Sequence, residues 1–303
     1  MIKPDITLAI AFEACKRARL VTPSRARELL QNIRLKNLQF LEISDALEYI
    51  GVKKESCNAS LSETIGLIER GESIGIASIT YASDLYPELM RTIDDAPPII
   101  YVRGSISSLS EGKSVSVVGS RKATPHGLEI SRRLSRFLSE NSYTVISGLA
   151  LGIDAAAHEG ALSGESPTIA VLAHGLEKAQ PLANTQLADR IIENGGAWIS
   201  EHIIGSKPRP EYFVLRNRLQ VGLSRASVIV EGESNSGSRT QADFCLRNRR
   251  HLFAVLPLPG SKVKLLSELS EMLVEQRGAT PIFSKEDYPE LLRIISNWSF
   301  GKI

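Results

Sequence analysis

Between Ser114 and His158 the chain runs through one pattern twice: SVSVVGSRKATPHG, then a helix-patterned stretch, then YTVISGLALGIDAAAH. Each copy is a β-branched run that breaks into glycine and small hydroxyl residues and then opens a helix, the sequence form of a strand leading into a phosphate-type turn. The alternation continues through apolar runs at 168–172, 197–200, 227–231 and 251–255, each separated from the next by helix-patterned sequence. Strands that are apolar along their whole length are buried on both faces, with helices above and below. The expected fold is therefore α/β: a doubly wound, mostly parallel Rossmann-like sheet.

Residues 1–80 follow a different period. The segments TLAIAFEACKRARL, PSRARELLQNI, LQFLEISDALEYI and SLSETIGLIERG repeat apolar positions at three and four, with Thr22-Pro23 as a start signal and Gly51 as a stop. This predicts a small helical amino-terminal domain. Over residues 1–110 there are 13 basic and 14 acidic side chains. With no basic recognition helix, the module reads as a packing or partner-contact unit. Residues 81–113 read as a connector and edge strand, because Pro97-Pro98 forbids helix ahead of IIYVRG, and Ser105 to Lys113 makes a polar approach. Residues 114–303 then form the Rossmann-like domain, ending in a helical tail.

The net charge of +2 does not announce a nucleic-acid binder, but its distribution is uneven. From Lys207 to Arg250 nine basic residues stand against four acidic ones, enough for a local positive face. Cys15, Cys57 and Cys245 are odd in number and lack a CxxC spacing, so neither a disulfide framework nor a zinc site is expected. No run reaches the roughly 20 apolar residues needed to span a bilayer, and the start lacks a basic leader with a cleavage site. A cytoplasmic protein without a membrane partner is expected.

In a doubly wound sheet ligands gather at the carboxyl ends of the strands, so the loops there are the candidate site. The first, Gly119-Ser120-Arg121-Lys122, combines close backbone approach, a hydroxyl and a bidentate phosphate fork. By itself it also fits a solvated basic turn. The second, Ser147-Gly148-Leu149-Ala150-Leu151-Gly152-Ile153-Asp154, opens a helix that Asp154 is placed to cap. His158 has no neighbouring ligand set and reads as a packing or hydrogen-bonding residue. The third holds Arg216, Asn217 and Arg218; the two arginines diverge by about 200° on a helix. The fourth, Ser236-Gly237-Ser238, again suits backbone approach to phosphate. Glu201 and Glu231 end strands and read as ion-pair partners of the arginines more simply than as an acid/base pair. No dinucleotide fingerprint, nucleotide P-loop or nucleophile elbow is present, so no catalytic residue, metal or cofactor is expected.

Seven segments in order, VVGSRKATPHG, VISGLALGIDAAAHEGAL, TIAVLAHGLEKAQPLAN, GGAWISEHIIGSKP, FVLRNRLQVGLSRASVIVE, SNSGSRTQA and LFAVLPLPG, resemble the DNA-processing protein A (DprA/Smf) family over about residues 81–290. The resemblance implies a non-catalytic protein that binds single-stranded DNA, forms a homodimer and loads a RecA-type recombinase in recombination or DNA uptake, including natural transformation. Gly119, Ser120 and Arg121 match its GSR loop, with Lys122 beside them. Ser147, Gly148, Gly152 and Asp154 match the second loop, Arg216–Arg218 the RNR motif and Ser236–Ser238 the SGS turn. Leu151 stands where the family has an arginine, Gln180 where it has a tyrosine, Gln241 where it has a threonine and Arg249 where it has a glycine. Tyr212 and Phe213 are the aromatics nearest the basic loops. The alternative is a nucleotide-binding sensor or a LOG-like nucleotide phosphoribohydrolase, although SNSGSRTQAD lacks the paired glycines and glutamate of that loop.

Overall fold

The computed structural model describes residues 4–109 and 112–298. Residues 1–3 of the start, and Ser110 and Glu111 of the polar approach, lie outside the described residues. Four helices come first: α1 (Pro4–Arg17), α2 (Pro23–Leu35), α3 (Ile43–Ile50) and α4 (Asn58–Ser73). Thr22 caps α2 by accepting from Arg25 N, with Pro23 as the first helical residue. Gly51 ends α3 in the left-handed region at φ 80°.

Strand β1 (Ile76–Thr80), the short helix α5 (Glu88–Arg91) and strand β2 (Ile99–Gly104) follow. Two expectations change here. Ile76–Thr80 lies inside the stretch read as helical yet is a strand, five residues being too short to show a period against the helix before it. It pairs antiparallel outside β2, so β2 is second from the edge and not the edge itself.

The rest alternates: β3 (Ser114–Val118), α6 (Pro125–Glu140), β4 (Thr144–Ser147), α7 (Ile153–Leu162), β5 (Thr168–Val171), α8 (Thr185–Glu193), β6 (Ala197–Ser200), α9 (Pro210–Gly222), β7 (Ala226–Ile229), α10 (Gly237–Arg247), β8 (His251–Val255), α11 (Glu268–Arg277), β9 (Thr280–Ile282) and α12 (Tyr288–Ser296). One nine-stranded sheet results, ordered β1-β2-β6-β5-β4-β3-β7-β8-β9. From β6 to β9 every pairing is parallel, and β2 is antiparallel to both neighbours. This is the Rossmann-like architecture expected, with helices on both faces. Strands step outward from β3 to β6, and the chain then returns along α9 to place β7 on the other side of β3. The switch in strand order therefore falls between β3 and β7, where a crevice opens at the carboxyl ends.

Every residue of β3 to β7 is buried, as the unbroken apolar runs require. On one face Val115, Val117 and Val145 pack with Leu134, Leu138, Ile153 and Leu291. On the other, Ile146, Ile169, Val171 and Ile199 meet Leu219 and Leu223 of α9. The amino-terminal helices share a core with the sheet: Phe12, Leu30 and Leu47 belong to one apolar cluster with Leu172, Ala188 and Trp198. Each large aliphatic or aromatic side chain so buried contributes about 1.5–3 kcal/mol. Cys15 and Cys57, distant in sequence, lie side by side in that cluster as free thiols joined by a hydrogen bond, and burial pushes the Cys15 thiol up to about 12. No helix among the described residues is long and apolar enough to cross a membrane.

Candidate functional site

The loop after β3 is tied to both neighbours before any side chain acts. Ser120 N donates to Glu231 O at 2.8 Å, and Ile153 N, at the start of α7, donates to Ser120 O at 3.1 Å. Ser120 Oγ accepts from Lys122 N at 3.1 Å, closing a turn that leaves Arg121 and Lys122 exposed. Thr124 then caps α6 by accepting from Gly127 N at 3.0 Å. Glu231 is fully buried beneath this junction. Its carboxylate accepts from Thr124 N (2.8 Å), Thr124 Oγ1 (2.6 Å) and Leu266 N (3.1 Å). It pairs with no arginine and works as a tie between three chain segments.

The second loop is held from behind. Ser147 Oγ donates to Val117 O at 2.7 Å, turning the hydroxyl into the sheet. Asp154 Oδ2 accepts from Gly148 N at 3.1 Å, so Asp154 secures the preceding loop; the cap position of α7 is Gly152, which has no side chain to offer. Gly152 sits at φ 81° with Ser120 O against it, where any Cβ would collide. Asn184 Nδ2 completes the support by donating to Leu149 O at 2.8 Å. His158 is buried, with Nδ1 2.8 Å from Thr168 Oγ1, and burial brings its pKa down to about 3. It is the neutral packing residue expected.

Arg216 and Arg218 part as their spacing predicts. The Arg216 guanidinium lies against Gly148, where a Cβ would overlap it, and its Nη1 donates to Val171 O at 2.5 Å. Burial lowers the Arg216 pKa while Asp154 raises it; burial raises the Asp154 pKa while Arg216 lowers it. Arg218 points the other way. Its Nη1 and Nη2 grip Glu201 Oε1 and Oε2 at 2.7 and 2.6 Å, and its Nε lies 3.3 Å from Asp95 Oδ2. Burial opposes ionisation of Glu201, but the Arg218 hydrogen bonds and charge win and its pKa falls. This pair borders a separate small cavity of about 80 Å³ beside Phe12 and Glu13.

Across the switch point lies an open cleft of about 500 Å³. Of the residues picked out by sequence, it is lined by Gly119, Ser120, Arg121, Lys122, Asp154, Arg216, Asn217, Ser236, Gly237 and Ser238. Ser147, Gly148 and Gly152 stand behind its wall, and Arg218, Glu201 and Glu231 do not line it. The two glutamates therefore do not face each other across one crevice. Asn217 Nδ2 donates to Gly237 O at 3.1 Å, locking α9 to the start of α10. The middle of α9 and the amino end of α10 thus contribute to the lining, the latter a setting suited to anions. Phe213 reaches the cleft with Arg121 stacked 5.5 Å above its ring, whereas Tyr212 is stacked on His202 at 4.0 Å under Arg209. Leu151, in the place of the arginine implied by resemblance, is 47% exposed. Sequence reasoning missed Gln220 as a lining residue and noted Gln241 only as a departure; both lie on the cleft floor and are 1% exposed. Glu233 was likewise missed and adds a carboxylate to the lining.

Residues 77–293 match the family described as DNA recombination-mediator protein A. The chain is 33% identical over 223 residues to the DNA processing protein DprA of Bacillus subtilis, covering 72% of each chain. Its fold is similar to the X-ray structure of DNA processing protein A from Streptococcus pneumoniae, with a TM-score of 0.73, 28% identity and coverage of 96% and 98%. The Helicobacter pylori protein of that name, solved for its single-stranded DNA binding mode, gives a TM-score of 0.63 at 26% identity over 72% of this chain and 96% of that one.

Proposed function

From the premise that this chain belongs to the DNA recombination-mediator protein A family, we propose that it binds single-stranded DNA in the cleft between β3 and β7, as a non-catalytic participant in DNA processing, recombination or uptake. The observation that carries the reading is the pairing of exposed Arg121 and Lys122 with rigidly tied backbone at the switch point. Exposed cationic heads on a rigidly held turn follow a phosphate chain without needing a given sequence. Arg216 supplies a buried charge behind them, and Ser236 to Ser238 offer backbone at the start of α10. Phe213, already stacked with Arg121, is the aromatic surface on which a base rests.

A phosphoribohydrolase would need Glu231 at the cleft surface, but this carboxylate is fully buried and engaged by three donors. The same premise extends to loading of a RecA-type recombinase, assembly as a homodimer and action in the cytoplasm, including natural transformation. Pull-down with a purified recombinase and light scattering of the free protein test the first two.

The decisive experiment is a titration of labelled single-stranded and duplex oligonucleotides at low and moderate salt. Single strands are expected to bind more tightly than duplex, with affinity falling steeply as salt rises. Absence of any shift at low salt defeats the proposal.

A further inference from the structure

Beneath the phosphate loops the cleft has a polar floor inside an otherwise apolar core. Gln220 of α9 is 1% exposed, and neither Oε1 nor Nε2 of its amide has a partner. Gln241 of α10 is equally buried. Its Nε2 is committed to Ser116 Oγ at 2.8 Å and Ser227 Oγ at 3.2 Å, which leaves Oε1 unpartnered. Ser116 and Ser227 are themselves joined at 3.1 Å, so this corner is fixed. Both glutamines line the cleft, together with Ser236, whose buried Oγ also has no partner. Buried amides without partners are uncommon and unfavourable. Here they converge on one cleft from two helices, which packing alone does not call for.

We propose that this floor is a base-recognition subsite that prefers a base whose pairing edge sets an amine beside an accepting ring nitrogen, adenine or cytosine, over thymine. The inference rests on the single-stranded DNA reading above. The ring nitrogen of either base accepts from Gln220 Nε2. One hydrogen of its amine goes to Gln220 Oε1 and the other to Gln241 Oε1. An amide presenting donor and acceptor together is the familiar partner of adenine. Thymine satisfies Gln220 but brings no second hydrogen for Gln241. Contact requires the Gln220 amide to turn toward the cleft, while Gln241 keeps Nε2 on its two serines and offers only Oε1. Phosphate grip by Arg121 and Lys122 then supplies affinity, and the floor supplies discrimination.

The test is binding of oligo-dA, oligo-dC and oligo-dT of equal length to the wild-type protein and to Gln220→Leu and Gln241→Leu, with thermal unfolding as a check on folding. The wild type is expected to bind oligo-dA and oligo-dC at least about fivefold tighter than oligo-dT, within the range of one good bidentate contact. Each leucine variant is expected to bring the three within about twofold while keeping the wild-type salt slope. Competition by the monophosphates of adenosine, cytidine and thymidine against a bound oligonucleotide reads the same preference on wild-type protein alone, should a variant fail to fold. Equal binding of all three oligomers, or a preference untouched by either substitution, overturns the subsite and leaves the DNA reading standing. Failure of every oligonucleotide to bind removes both.

Discussion

Arg216 and Arg218 sit two residues apart on α9, and the helix sends them to opposite sides. Arg216 meets the bare backbone of Gly148 and the carbonyl of Val171, its charge answered by an Asp154 it does not touch as an ion pair. Arg218 is gripped by both oxygens of Glu201 and approached by Asp95. Both are arginines in an RNR motif, yet one is left with charge to spare at a cleft and the other is consumed by carboxylates. A motif therefore names residues that sit together in sequence, and the local partners decide which of them remains available to a ligand.

Substitution is the most direct way to break the contrast. Arg216→Ala should have the largest effect, roughly 3–5 kcal/mol of stability, because it takes from buried Asp154 the stronger of its two cationic neighbours and removes the donor to Val171 O. Urea unfolding measures that loss, and single-strand binding should disappear with it. Arg218→Ala should cost less, roughly 1–3 kcal/mol, since Asp95 is partly solvated and Glu201 borders a cavity. The folded fraction should bind single-stranded DNA within about twofold of wild type, as its side chain is absent from the cleft. Equal losses of affinity in the two variants would erase the distinction between the faces.

Arg121→Ala sharpens the contrast from the other direction. This exposed residue should leave unfolding within about 0.5 kcal/mol of wild type while single-strand affinity drops about tenfold and the salt slope shrinks by about 0.7. The smallest effect belongs to Glu201→Gln, about 1 kcal/mol at neutral pH. Arg218 holds the folded-state pKa of Glu201 below its usual 4.5, so the ionised form stabilises the fold above that value and the benefit is lost as pH falls through the lowered pKa. Wild type and variant should therefore converge in acid, which unfolding midpoints taken across that range will read.

The strands from β3 to β8 were legible because β-branched runs buried on both faces have no other reading, and the loops after them because glycine and serine interrupt those runs. Strand β1 was not, since IASIT follows α4 directly and acquires its meaning only from pairing with β2. Helical geometry foretold that Arg216 and Arg218 diverge, but which one faces the cleft depends on Glu201, fifteen residues or more upstream of both and brought near by the sheet. Gln220 escaped notice, and Gln241 stood out only as a departure from the motif, because a glutamine in a helix ordinarily points to water. Tyr212 and Phe213 looked equivalent until His202 took one of them.

Glu231 gives the cleft a date of completion. Its carboxylate joins Thr124, 107 positions behind it, to Leu266, 35 ahead. A ribosome making this chain exposes the GSRK turn early, when neither its anchor nor the loop that closes over that anchor exists. The cleft is thus complete only after Leu266 has been made, and a growing chain displays the motif long before it owns the site.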